Sequence, residues 1–235
     1  MADPSRRFLA FDGRDGGRAV EVFGDLAAAG RIAVLVPGSD TDLDKYGLLR
    51  GGSMRLQEAL GERAAVVAWL GYRTPSTVSL AAMSAGWADE GVPGLRAFVR
   101  ELTTAKPAAA ISLLCHSYGS VVCARAASGL DVDNIVLYGS PGVLAPNVAA
   151  LRTRAIVWAG RSGRDWVARI PSTRLRLPFL TAGFGTDPVS PRFGAHVFAA
   201  GGGGHSDYLR SGSPALENIA RIVTGQAVRE ADHDA

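Results

Sequence analysis

One stretch constrains this chain more than any other. Ile111-Ser-Leu-Leu-Cys-His-Ser-Tyr-Gly-Ser-Val-Val122 runs an apolar strand into a helix through Cys115-His116-Ser117-Tyr118-Gly119. A turn this tight puts its central serine in strained geometry. It also brings the residues two before and two after against neighbouring backbone, so both must be small. Gly119 meets that demand. Cys115 stands where a first glycine is usual, and it is small but carries a Cβ. Ser117 then lies at a helix amino terminus, where unpaired N–H groups and the helix dipole favour negative charge.

The rest of the chain reads as strands alternating with helices. Phe8–Phe11 and Ala19–Phe23 flank Gly13-Arg-Asp-Gly-Gly17 as a hairpin. Ile32–Val36, Ala64–Leu70, Ala109–Cys115, Ile135–Tyr138 and Ala155–Ala159 are short apolar runs that suit buried parallel strands. Ala195–Ala200 reads as the last strand. Ser53–Leu60, Leu95–Thr103, Tyr118–Gly129 and Pro214–Thr224 read as helices. This order predicts an α/β fold with a mainly parallel sheet, and function in the loops after the strands' carboxyl ends. At 235 residues and with no visible linker, one domain over 1–225 is expected, with a polar tail, 226–235, that frays. Gly71–Gly94 and Ser162–Gly194 are the long irregular stretches.

A reactive serine needs a base and a group to orient that base. Of four histidines, His233 is in the tail, and His196 lies within the last strand. His116 adjoins Ser117, which turns its ring away from the hydroxyl. His205 follows the last strand after Gly201-Gly-Gly-Gly204, in a loop where backbone can approach closely, and is the expected base. Two acids precede it. Asp165 sits just past a strand and is preferred. Asp187, before Pro188, is the alternative acid and also suits a turn. Asp207 is too close in sequence to His205 to orient it. The oxyanion donors expected are the N–H of Tyr118, after the nucleophile, and that of Ser39, in the loop after Ile32–Val36.

Other chemistries find no support. Asp40-x-Asp42-x-Asp44 opens like a calcium loop, but Lys45 and Gly51 stand where glycine and glutamate are required. No P-loop or His-Glu-x-x-His run occurs, and the cysteines lack metal spacing, so no metal is expected. With only Cys115 and Cys123 there is no disulfide framework, and Cys123 reads as core packing. No apolar run approaches the ~20 residues of a membrane span. The opening Met1-Ala-Asp-Pro-Ser-Arg-Arg7 does not suit a signal peptide, so a cytoplasmic setting is expected. Net charge is +3, but it is unevenly spread. Arg152–Arg176 holds seven arginines and one acid, Asp165, a net +6 that leaves −3 for the rest. The bland reading is a solvated surface, and the sharper one a positive rim for an anionic or carrier-bound acyl substrate. No aromatic stripe supports nucleic-acid binding.

Val36-Pro-Gly38, Trp69-Leu-Gly-Tyr72, His116-Ser-Tyr-Gly-Ser120, Gly185-Thr-Asp-Pro188 with Phe193-Gly-Ala195, and Gly204-His-Ser-Asp-Tyr208 resemble the α/β-hydrolase superfamily. More narrowly they resemble an actinobacterial α/β-hydrolase group classed as a domain of unknown function. The resemblance implies an α/β-hydrolase fold with helices on both faces of the sheet. It gives Ser117 as nucleophile, His205 as base, Asp165 or Asp187 as acid, and no cofactor. Only Gly139–Arg154 separates two strands where such enzymes often insert a lid, so a minimal lid and an open site are expected. Any cover would come from Gly71–Gly94 or Trp166–Gly194. The expected activity is hydrolysis of a carboxylic ester or thioester on a small-molecule acyl substrate. An acyltransferase or cyclase with the same triad is the alternative, and a non-catalytic ligand-binding protein on the same fold a third.

Overall fold

In a computed structural model, residues 6–76, 86–170, 175–177, 180–182 and 184–231 are described. Strands β1 (Arg7–Asp12) and β2 (Arg18–Phe23) form the expected antiparallel hairpin. They are followed by β3 (Arg31–Val36), helix α1 (Tyr46–Leu60), β4 (Ala64–Leu70), α2 (Gly86–Ala105), β5 (Ala110–His116) and α3 (Gly119–Ala126). Then come β6 (Asn134–Tyr138), β7 (Ile156–Gly160), a small hairpin β8 (Leu175–Leu177) and β9 (Leu180–Ala182), β10 (His196–Val197) and α4 (Pro214–Thr224). Two short 3-10 turns, Val148–Leu151 and Trp166–Arg169, complete the set.

Eight strands make one sheet in the order β1-β2-β4-β3-β5-β6-β7-β10. From β4 to β10 every neighbouring pair is parallel, and the two pairs at the other edge, β1-β2 and β2-β4, are antiparallel. Strand residues alternate between two cores. Ile32, Val34 and Val36 of β3 face α2 and α3, with Leu95, Val99 and Val121. Ala33 and Leu35 face α1 and α4, with Leu56, Ile219 and Ile222. Both faces of the sheet are therefore covered, which is why the central strands read as unbroken apolar runs instead of alternating ones. All seven residues of β4 are buried.

The structure corrects the sequence expectations at several places. Helix α1 begins at Tyr46, seven residues before the predicted start at Ser53. Gly47, Gly51 and Gly52 hid its first two turns, because glycine is a poor helix former. Gly52 has a packing reason, since a Cβ there would lie 3.0 Å from Leu209 Cδ1. Helix α2 is likewise longer than predicted and runs through Pro93. The last strand pairs with β7 only at His196 and Val197. Beyond it the chain turns to the carboxyl terminus: Ala199 N–H donates to Arg229 O, and Ala231 N–H donates to Val197 O. Asn218 pins the same segment through Arg229 N–H and Arg229 O. The tail is thus hydrogen-bonded back beside β10 up to residue 231, and the rest of it, with His233, lies outside the described residues.

The cysteines are the sharpest correction. Cys115 and Cys123 are not separate core thiols but are joined in a disulfide, their Cα atoms 6.4 Å apart. Cys115 is the last residue but one of β5 and Cys123 lies in the second turn of α3. The turn between them folds the helix back onto the strand, so two residues eight apart in sequence meet within a buried core.

Candidate active site

The loops after β3, β5, β6, β7 and β10 converge on one edge of the sheet. Ser117 sits on the turn between β5 and α3 with φ +52°, the left-handed region that a non-glycine residue rarely adopts. Several contacts hold it there. Ser117 N–H donates to Tyr138 O, and Ser120 donates to Ser117 O through both its N–H and its Oγ. The Ser120 hydroxyl also meets Ser140 Oγ at 2.6 Å. Two glycines make the turn possible. A Cβ on Gly119 would come within 2.5 Å of the Val36 and Pro37 carbonyls, and one on Gly38 within 2.6 Å of Ser117 Cβ. The loop after β3 thus lies directly against the serine.

His205 Nε2 is 2.9 Å from Ser117 Oγ, and its Nδ1 is 2.9 and 3.0 Å from the two carboxylate oxygens of Asp165. A carboxylate only accepts hydrogen bonds, so Nδ1 carries the proton and Nε2 offers a lone pair to the serine hydroxyl. Asp165 ends up here because it follows β7 and caps the short Trp166–Arg169 turn, its Oδ1 accepting from Val167 N–H. Burial would raise its carboxyl. Hydrogen bonds from His205, from Tyr208 and from Val167 N–H outweigh that and hold it below its ordinary value.

Asp187 lies elsewhere. Its Oδ2 is 2.5 Å from Arg161 Nη1 and its Oδ1 accepts from Val189 N–H, an ion pair and a turn. Asp207 caps Gly204 N–H. His196 packs against Trp158. His116 turns away from Ser117, and its Nε2 donates to His205 O at 2.9 Å. Burial is the main cause that lowers its pKa to about 3, so its ring is neutral and holds the His205 backbone. Among the described residues, none of the arginines of Arg152–Arg176 lines the cavity beside the serine. Arg161 pairs with Asp187 and Arg154 with Asp131, while the side chains of Arg174 and Arg176 lie outside what is described.

Of the two expected oxyanion donors, Ser39 lies on the cavity wall and Tyr118 directly follows Ser117. Among the described residues Ser39 N–H makes no hydrogen bond, and its buried Oγ has no partner either. Tyr118 is the N-cap residue of α3. Tyr72, which the sequence reading assigned no role, fixes the loop that carries Ser39 by donating to Pro37 O at 2.6 Å.

The cavity over Ser117 measures about 410 Å³ and is walled by the β3 loop, one face of α1, Trp166 and the His205 loop. Trp166 lies 4.8 Å from the His205 ring, so cover comes from the segment after β7, one of the two anticipated sources. Residues 77–85 of the other lie outside the described residues. Among the described residues no helix is long and apolar enough to cross a membrane.

A family model described as "Alpha/beta hydrolase" matches residues 12–175. The chain belongs to the α/β-hydrolase family. No curated protein matches it. Solved structures with the same fold include an α/β serine hydrolase without lid from Xanthomonas campestris, 15% identical, with TM-score 0.57 over 96% of this chain and 94% of that one. A dienelactone hydrolase from Anabaena variabilis is 15% identical, with TM-score 0.59 over 95% and 97%. Esterase PE8 is 14% identical, with TM-score 0.57 over 93% and 100%. In this α/β-hydrolase, the supporting residues that sequence reasoning missed lie one step behind the reactive groups. Tyr208 OH donates to Asp165 Oδ2 at 2.5 Å and accepts from Ser162 N–H. Gly139 passes so close that a Cβ would meet Tyr208, Asp165 and His205 at once. Their signal was the short Gly204-His-Ser-Asp-Tyr208 motif, which carries Tyr208 beside His205.

Proposed function

We propose that this α/β-hydrolase is a serine hydrolase that cleaves a carboxylic ester or thioester through an acyl-enzyme. The observation that carries this reading is the unbroken line from Ser117 Oγ through the His205 ring to Asp165, with every contact at 2.9–3.0 Å. Ser117 Oγ attacks the substrate carbonyl carbon while its proton passes to His205 Nε2. The imidazolium formed is stabilised by Asp165, which keeps its negative charge. The carbonyl oxygen becomes an oxyanion beside the Ser39 and Tyr118 N–H groups. His205 then protonates the departing alcohol or thiol. A water molecule, deprotonated by His205, attacks the acyl carbon; the bond to Ser117 Oγ breaks, Oγ takes the proton back from His205, and the acid is released. Ser117 begins in a strained, left-handed turn conformation, so little reorganisation precedes attack.

A cytoplasmic setting is part of this reading. Burial of both sulfurs is what would shield the Cys115–Cys123 bond from thiol reductants there, since exchange requires access. The test of function is hydrolysis of short p-nitrophenyl esters together with labelling by a fluorophosphonate probe. Wild type should do both, and Ser117→Ala neither. Equal activity in the variant refutes the mechanism.

A further inference from the structure

One wall of the cavity over Ser117 is a single helix face. Lys45, at the N-cap of α1, then Leu48, Leu49, Gly52 and Arg55 line it at helical spacing. The middle of this face is apolar, and Leu48 is 76% exposed. Each end carries a cation. Ten residues at 1.5 Å each put those ends about 15 Å apart. Lys45 is one of only two lysines in the chain. Neither Lys45 nor Arg55 has a carboxylate within ion-pair distance among the described residues. Arg55 is half-buried and already oriented, because its Nε donates to Leu209 O in the His205 loop. That leaves the Nη edge of its guanidinium fork without a hydrogen-bond partner among the described residues. Asp40 is the one acid on the cavity lining, and it sits at the Lys45 end.

A half-buried, pre-oriented guanidinium with no counter-charge is costly unless an anion completes it. Resting on the hydrolase reading above, we propose that the cavity is built for an anionic acyl substrate. This is an ester or thioester with an apolar stretch and a carboxylate or phosphate held by Arg55, while Lys45 at the mouth draws it in. The cations that select charge are therefore those of α1 and not the arginines of Arg152–Arg176. Both sides of the scissile bond are open to this chemistry, since the anion can belong to the acyl half or to the leaving group.

The test compares p-nitrophenyl butyrate with p-nitrophenyl hemiglutarate, whose charge lies on the acyl side. It also compares phenyl acetate with 4-acetoxybenzoate, whose charge lies on the leaving side. Wild type should favour at least one anionic partner in kcat/KM. Arg55→Gln should cut that preference by about 10- to 100-fold, the range for a lost charge-assisted hydrogen bond, chiefly through KM. Arg55→Lys should restore part of it. Lys45→Gln should mainly weaken the salt dependence of kcat/KM. Binding of the same four esters to Ser117→Ala, read from Trp166 fluorescence, separates the two ideas. If wild type hydrolyses nothing but Ser117→Ala binds the anionic esters more tightly in an Arg55-dependent way, the hydrolase reading fails and the anion site stands. If hydrolysis is normal but charge makes no difference, or Arg55→Gln lowers neutral and anionic esters equally, the anion site is refuted.

Discussion

The Cys115–Cys123 bond brackets the reactive serine, and its contribution to stability can be worked out from the chain. The cross-link closes a loop with a sequence separation of 8. Loop-closure entropy for so short a loop corresponds to about 2.5 kcal/mol of stability at 25 °C. For a chain of this size that corresponds to a melting temperature lower by about 5–10 °C in Cys115→Ala/Cys123→Ala. Both residues are fully buried, so the lost sulfurs can only add to the deficit. Thermal and urea unfolding of the double variant and of oxidised wild type give the difference. Thiol titration in denaturant, without reductant, gives the redox state. The expected outcome is no free thiol in wild type and a clear drop in stability in the variant. Two titratable thiols in freshly purified protein, or melting temperatures within about 1 °C of each other, would refute the reasoning.

Further outcomes follow from the site. Asp165→Asn should lower turnover by about 10³- to 10⁴-fold by leaving His205 in the wrong tautomer, whereas Asp187→Asn should leave turnover nearly intact; the reverse order would move the acid to Asp187. Tyr208→Phe should cost about tenfold in kcat with a smaller change in KM, because the lost hydroxyl holds Asp165 and does not face substrate chemistry. Gly38→Ala should fold yet lose about 10²- to 10³-fold in kcat, since its Cβ would displace Ser117 and the Ser39 donor together. His116 titrates near 3 when folded and near its ordinary 6.5 when unfolded, so the unfolded chain binds the extra proton between those values. Stability should fall as pH drops through that window, at up to about 1.4 kcal/mol per unit. Urea midpoints measured from pH 7 to 4 should fall less steeply in His116→Gln, and identical slopes would contradict this.

How much of this was readable before folding depends on whether a feature is local. The strand, turn and helix around Ser117 are contiguous, so apolar runs and small residues disclosed them directly. His205 was reachable because chain order and a glycine loop single it out. Its place just past a strand favoured Asp165, but Asp187 stayed open as the alternative because both residues suit turns. What separates them is the three-dimensional path after β7, which brings one beside His205 and leaves the other on Arg161. The start of α1 was hidden by glycines that serve packing against Leu209, a contact about 150 residues away in sequence. The disulfide, the Tyr72 and Tyr208 hydrogen bonds and the Arg55 fork all depend on partners supplied by tertiary structure. Charge counting could not place the cations: the arginine-rich segment spends some of its own on nearby acids, while Lys45 and Arg55, at the N-cap and within α1, line the cavity.

The central claim is that Ser117 is the nucleophile, held ready by His205 and Asp165. The most direct measurement is intact-mass and peptide mass spectrometry after treatment with a fluorophosphonate. The account predicts one adduct per chain, located on Ser117, formed far more slowly in Asp165→Asn and absent in Ser117→Ala. An adduct on another residue, or equal labelling of Ser117→Ala, would contradict it.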